Sequence, residues 1–287
     1  MKRGEVLTLD SNPTLRGFAR HEGDVAFSGV VPGSLKMDIL TPWRREEDER
    51  RYPLIVFVQG SGFTFPDIHY ELPQLAQYAR TGYVVATVTH RNALEGHPFP
   101  AYLNDVKTAI RFLRANAEQY HIDEEKVCVF GTSSGGNTAL LVGMTGNDPH
   151  YRTVEYADMR DDVQAVVDCF GPTDLGALVE WSLERGNEGI EEMERALAGE
   201  NDREKVMREM SPLLLIEQGQ QYPPFLLLHG DADRVVPYKQ SADMYEALRA
   251  AGADARLVRV KNADHEGAFW SEALHDVIRK FIDEILK

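Results

Sequence analysis

The sequence predicts an α/β protein, with a mostly parallel central sheet covered by helices on both faces. Three observations carry that expectation. Short apolar, β-branched runs alternate with helical patterns from Leu54 onward, the order that builds a parallel sheet through helical crossovers. One of these runs, Leu54-Ile55-Val56-Phe57-Val58, is apolar at every position, which suits a strand covered on both sides. One run, Val127-Cys128-Val129-Phe130, passes through Gly131-Thr132-Ser133-Ser134-Gly135 directly into helix formers, a strand, tight turn and helix in succession.

The elements follow in order. Residues 1–24 are polar and irregular, and residues 25–31 and 35–40 read as two strands of an antiparallel hairpin around Pro32-Gly33. A mixed charge run over 44–51 reads as a solvated connection. After the 54–58 strand comes a helix over 73–80 with Gly82 just beyond its end, then a buried strand over 84–88. Leu103, Val106, Ile110, Leu113 and Ala117 recur at helical spacing and predict one amphipathic helix over 102–120. The Ser133 strand and helix follow, then a strand over 163–169. Strands over 226–228 and 256–260 flank a helix over 241–251 that stops at Gly252, and a helix over 272–286 comes last.

One segment breaks the alternation. About 50 residues separate Asp174 from Tyr222, too many for a simple crossover. They are acidic and helical in pattern, with apolar Leu178, Trp181, Ile190, Met193 and Leu197. The expectation is a single domain over 1–287 with a small helical cap, 175–222, inserted over the Ser133 end of the sheet.

Composition excludes some functions. The net charge of −15, from 46 acidic and 31 basic residues, argues against nucleic acid, whose phosphates require a basic footprint. Cys128 and Cys169 both lie in apolar runs and read as buried free thiols. Met1-Lys2-Arg3-Gly4-Glu5 lacks a signal-peptide apolar region, and no apolar run has the length of a membrane span. The expectation is a soluble cytoplasmic protein, with a homodimer left open.

The chemistry is written in four places. A serine on a strained strand-to-helix turn is a nucleophile candidate, and Ser133 needs a base and an orienting carboxylate. In this architecture the order is nucleophile, acid, base. Asp233 stands just past a late strand, in Asp233-Arg234-Val235-Val236-Pro237. Asp231 is expected to bond local backbone, and Asp174 is a third candidate. His265 follows the last strand in a polar loop and is the base, while His229 and His275 are expected to be structural. The oxyanion formed during attack needs N–H donors: Ser134 directly after the nucleophile, and Ser61 and Gly62 in the loop Gln59-Gly60-Ser61-Gly62-Phe63. Phe63, Phe65, Pro66, Trp181, Phe269 and Trp270 are aromatic-rich surroundings that would line a substrate pocket if they meet above Ser133.

With these stations placed, the chain resembles the α/β-hydrolase superfamily, in its esterase and lipase group related to hormone-sensitive lipase and to bacterial feruloyl-esterase-like proteins. Gly131-Thr132-Ser133-Ser134-Gly135-Gly136 matches the group's elbow, where alanine is usual at Ser134. His229-Gly230-Asp231-Ala232-Asp233-Arg234-Val235-Val236-Pro237 resembles the group's acid segment and supports Asp233. Two departures stand out: Gln59-Gly60-Ser61-Gly62 where the group commonly has His-Gly-Gly-Gly, and Glu266 where glycine often follows the base. The resemblance implies an α/β-hydrolase fold and hydrolysis of small-molecule carboxylic esters, of short-acyl or hydroxycinnamate type, without metal or organic cofactor. A peptidase of the prolyl-oligopeptidase type and a non-catalytic ligand-binding member of the fold are the alternatives.

Overall fold

The computed structural model describes residues 3–30 and 35–287. Its strands are Ala19–Ala26 (β1), Lys36–Pro42 (β2), Tyr52–Val58 (β3), Val84–Val88 (β4), Ile122–Thr132 (β5), Ala165–Cys169 (β6), Phe225–Gly230 (β7) and Ala255–Val260 (β8). They form one sheet in the order β1-β2-β4-β3-β5-β6-β7-β8. β1 and β2 run antiparallel, and every pairing from β4–β3 to β7–β8 is parallel.

Strand order places the site. From β3 the chain steps outward to β4, then crosses back to β5 on the other side of β3. At such a reversal the two loops leaving the strands' carboxyl ends diverge and open a crevice, where ligands of open α/β sheets bind. Val58 at the end of β3 stands opposite Gly131 in β5. The loop after β3 therefore leaves beside the Ser133 turn.

The helices are Leu72–Arg80 (α1), Ala101–Ala115 (α2), Ala117–Tyr120 (α3), Ser134–Met144 (α4), Leu175–Leu183 (α5), Gly189–Ala198 (α6), Arg203–Glu209 (α7), Lys239–Ala250 (α8) and Glu272–Leu286 (α9). Side chains of α2, α4 and α8 pack with one set of strand residues, including Val56, Val129 and Leu227. Side chains of α1 and α9 pack with the alternate set, including Ile55, Phe57 and Phe130. In α9, Leu274, Ile278, Phe281, Ile282 and Leu286 are buried at helical spacing. Each such side chain removed from water contributes about 1.5–3 kcal/mol.

Two expectations need correction. The helix expected over 102–120 is two helices, broken at Asn116, whose Nδ2 donates to the Phe112 carbonyl at 2.8 Å. An asparagine that bonds nearby backbone competes with helix continuation. The first strand spans Ala19–Ala26, not residues 25–31. Its sequence Ala-Arg-His-Glu-Gly-Asp-Val-Ala sits on the exposed sheet edge, where burial imposes no apolar signature. The expected turn at Pro32-Gly33 lies outside the described residues.

The 175–222 segment folds as α5, α6, α7 and a short turn over Pro212–Leu215. Asn137 in α4 ties it down: its Nδ2 donates to the carbonyls of Pro172 and Met210, each at 2.8 Å. The Leu175 N–H donates to Ser211 Oγ at 2.9 Å, and the Phe99 N–H to the Leu197 carbonyl at 2.9 Å. Met193 Cε lies 3.6 Å from the position a Gly62 Cβ would occupy, so α6 reaches the loop after β3. Among the described residues no helix is long and apolar enough to cross a membrane.

Candidate active site

The turn between β5 and α4 is made possible by what its neighbours lack. Ser133 has φ +52° and ψ −124°, a region costly for any residue with a side chain. A Cβ on Gly131 would lie 2.0 Å from the Gly135 carbonyl oxygen, and one on Gly135 would lie 2.0 Å from that of Val58. Both are backbone collisions, so these positions admit only glycine while the turn keeps its shape. The Ser133 N–H donates to the Cys169 carbonyl at 2.9 Å, anchoring the strained residue to β6.

The hydroxyl meets its expected partners. Ser133 Oγ lies 2.9 Å from His265 Nε2, and His265 Nδ1 lies 2.7 Å from Asp233 Oδ2. The imidazole side chain is 14% exposed and the Asp233 carboxylate is fully buried. Asp233 is fixed from its own loop, where Oδ1 accepts the N–H groups of Val235 at 2.8 Å and Val236 at 2.9 Å. Burial alone would raise this carboxyl. Hydrogen bonds from His229, His265 and the Val235 backbone outweigh burial and hold it well below the usual carboxylate range.

The other acid candidates are engaged elsewhere. Asp231 accepts the Asn262 N–H at 2.6 Å and an Arg259 bond at 2.7 Å, local bonds as expected. Asp174 caps α5 by accepting the Ala177 N–H at 3.0 Å. His275 packs structurally, at 3.0 Å from the Tyr78 hydroxyl.

Oxyanion donors are less simple than the sequence implies. Among the described residues the N–H groups of Gly62 and Ser134 have no hydrogen-bond acceptor. The Ser61 N–H is occupied, donating to Ser134 Oγ at 2.9 Å. The same loop is tied to the elbow a second time, through the Gly60 N–H and Thr132 Oγ1 at 2.8 Å.

The six pocket residues do not converge above Ser133. Phe63 is 5% exposed, in the core with its ring 5.2 Å from Tyr102. Phe269 is fully buried, 4.7 Å from the Phe170 ring. Both are core residues, the commoner fate of a large apolar ring. Trp270 turns onto His275, stacked at 5.2 Å, and its Nε1 donates to Glu266 Oε2 at 3.0 Å. Phe65 is half exposed and, with Pro66, lines a surface hollow beside Lys36 and His69. Trp181 lies under the Arg185 guanidinium at 4.1 Å and lines a cavity of about 290 Å³ that reaches Pro237, in the loop of Asp233.

Of three further contributors, His229 is the histidine expected to be structural, and Asp264 and Phe170 have no separate signal in the sequence. His229 Nε2 lies 3.2 Å from Asp233 Oδ2 and 2.9 Å from the Val236 carbonyl, while its Nδ1 lies 2.7 Å from Ser241 Oγ. With two acceptors facing it, Nε2 carries the hydrogen. Asp264 Oδ1 accepts the N–H of His265 at 2.9 Å and that of Arg234 at 3.1 Å, joining the loops that carry His265 and Asp233. Phe170, at φ +46°, lays its ring 4.6 Å from the His265 ring. Only the punctuation Gly171-Pro172 after β6 hints at a special conformation there. Among the described residues no cluster of three or more His, Cys, Asp or Glu could hold a metal ion.

The chain is 30% identical over 245 residues to esterase LipC of Mycobacterium tuberculosis, covering 84% of this chain and 59% of LipC. It spans less than two thirds of the length of the other mycobacterial esterases it matches as well. Among solved structures, a truncated carbohydrate esterase from gut microbiota superposes with a TM-score of 0.75 at 26% identity, covering 96% of this chain and all of that one. The bifunctional GH43-CE protein of Bacteroides eggerthii gives 0.81 at 29% identity, covering 93% of this chain and 35% of that one. The fold is that of the α/β-hydrolases. The family model described as BD-FAE matches residues 37–248, and the chain belongs to that family.

Proposed function

We propose that this chain is a serine carboxylesterase acting on small-molecule esters, with Ser133 as nucleophile, His265 as base and Asp233 as orienting acid. The observation that supports it is the unbroken contact from Ser133 Oγ through His265 to Asp233, at 2.9 and 2.7 Å. The Nδ1–H donates to Asp233, leaving the Nε2 lone pair to take the serine proton. As Ser133 Oγ attacks the ester carbonyl, that proton passes to Nε2, and Asp233 stabilises the imidazolium. The carbonyl oxygen becomes an oxyanion received by the N–H groups of Gly62 and Ser134. Collapse expels the alcohol, protonated from Nε2. Water, activated by the same nitrogen, then releases the acid.

The substrates proposed are esters with a short acyl or hydroxycinnamate group. The cap over 175–222 borders the site, as the approach of Met193 to Gly62 suggests. The net charge of −15 argues against nucleic acid as a partner. Cys128 and Cys169 are buried and unpaired, which accords with a cytoplasmic location. A homodimer is compatible with this reading, and sedimentation velocity measures it.

The test is hydrolysis of p-nitrophenyl esters from acetate to octanoate, alongside methyl ferulate. Turnover of at least one is expected, and Ser133→Ala should lose on the order of a million-fold in rate while keeping its fold. No turnover of any ester sinks the proposal. Faster cleavage of aminoacyl anilides would replace it with a peptidase.

A further inference from the structure

The residue after Ser133 is a second serine, where the esterase group that the sequence resembles usually has alanine. Ser134 Oγ accepts the Ser61 N–H at 2.9 Å, in a residue only 2% exposed. A hydroxyl that accepts still has its own hydrogen to give. Among the described residues neither the Ser134 hydroxyl nor its N–H donates to an acceptor.

The Ser61 peptide is not free to seek another partner. Ser61 Oγ donates to the Thr64 carbonyl and Thr64 Oγ1 to the Ser61 carbonyl, both at 2.6 Å. One residue earlier, the Gly60 N–H is held by Thr132 Oγ1. The Ser61 N–H is thus locked toward Ser134 Oγ. Whatever benefit it brings to chemistry at Ser133 passes through that oxygen.

We infer that Ser134 serves the oxyanion twice, through its backbone N–H and through a side-chain hydroxyl polarised by the Ser61 N–H. The inference rests on the reading of Ser133 as nucleophile. A hydroxyl that accepts a hydrogen bond becomes a stronger donor, because chained hydrogen bonds polarise one another. No bond to hydrogen breaks: each donor keeps its proton, and the negative charge on the substrate oxygen is spread across the chain Ser61 N–H, Ser134 O–H, oxyanion. The Ser61 N–H expected as a direct donor becomes an indirect one.

The test compares Ser134→Ala and Ser134→Thr with the unaltered chain, reading kcat and KM on p-nitrophenyl acetate and affinity for a trifluoromethyl ketone, which forms a tetrahedral adduct. Ser134→Ala should lose on the order of 100-fold in kcat and in ketone affinity, with KM changed less than about twofold. Ser134→Thr, which keeps the hydroxyl, should retain most of both. An alanine variant as fast as the unaltered chain, or faster, overturns the inference and makes the hydroxyl a plug. If the alanine variant does not fold, a folded threonine variant with the 100-fold loss overturns it equally. Ser133→Ala, run alongside, separates the two readings. Unchanged turnover there defeats the nucleophile assignment, whereas a normal loss with full-rate Ser134→Ala defeats only this inference.

Discussion

Asp233→Asn gives the sharpest examination of the proposed triad, because the surroundings dictate how the new amide must lie. Oδ1 of Asp233 receives two backbone N–H groups, from Val235 and Val236, at 2.8 and 2.9 Å. An amide nitrogen placed there would face two donors. The amide oxygen therefore takes the Oδ1 position and the NH₂ group takes the Oδ2 position. There it meets His229 Nε2, at 3.2 Å, which keeps the Val236 carbonyl as an acceptor at 2.9 Å. It also meets His265 Nδ1 at 2.7 Å, and donates to it. That donation fixes the wrong tautomer: Nε2 now carries a hydrogen and has no lone pair for the Ser133 proton. The fold should survive and the chemistry should not. Loss of the correct tautomer costs on the order of 10⁴ in kcat, equivalent to about 5 kcal/mol of barrier. Steady-state hydrolysis of p-nitrophenyl acetate, with thermal melts as the fold control, reads it out. An Asp233→Asn enzyme retaining more than about a tenth of the rate refutes the reasoning, as does an equal loss in Asp174→Asn.

Two further outcomes concern stability. Lys107 Nζ and Arg111 lie 3.1 and 2.6 Å from the two oxygens of Asp161, and all three side chains are fully buried. Asp161→Ala strands two cations away from water and should cost about 3–5 kcal/mol in denaturant unfolding; a cost below about 1 kcal/mol would show that the cluster is not held by charge. Glu71 is pushed up to about 7, first by burial and then by the charge of Glu266. The unfolded chain releases this proton near the ordinary carboxylate value while the folded chain keeps it, so stability falls as pH rises from about 4.5 to about 7. Glu71→Gln should therefore stabilise on the order of 2–3 kcal/mol above pH 7 and by almost nothing near pH 4. A difference that does not vary with pH between 4 and 8 contradicts it.

The parts of this protein that were legible in its sequence share a property: their signal is local. Strand β3 announces itself by a continuous apolar run, β4 by β-branched residues, α9 by its spacing, and the elbow by glycines that the turn itself demands. Ser133, Asp233 and His265 could be chosen because each follows a recognisable strand in a fixed chain order. The contacts that support them could not. His229 bears on Asp233 only because β7 ends beside its own loop, and Asp264 matters only because its loop lies against Arg234. Lys107 and Arg111 sit on a helix whose apolar spacing suggests a solvated charged face. Their burial depends on Asp161, which the chain reaches only after β5 and α4. Aromatic residues misled for the opposite reason. Phe63 and Phe269 stand next to site residues in sequence, yet their large apolar surface was taken by the core.

One device recurs around the crevice and explains how the loops there are held steady. A side-chain oxygen at the end of one element or in one loop captures a backbone N–H of a neighbouring loop: Thr132 at the end of β5 holds Gly60, Ser134 at the start of α4 holds Ser61, and Asp264 holds Arg234. Others brace their own turn, as Asp168 does for Gly171 and Asp233 for Val235 and Val236. A backbone N–H has no rotamers to lose, so such ties fix position at small entropic cost compared with pairs of long side chains. The Arg234–Asp264 ion pair is largely exposed and by itself contributes little. What secures the two loops is that the same carboxylate also accepts the N–H groups of Arg234 and His265. The proposed donors and base are thereby set in place before a substrate arrives, the condition under which fixed dipoles stabilise developing charge without reorganising.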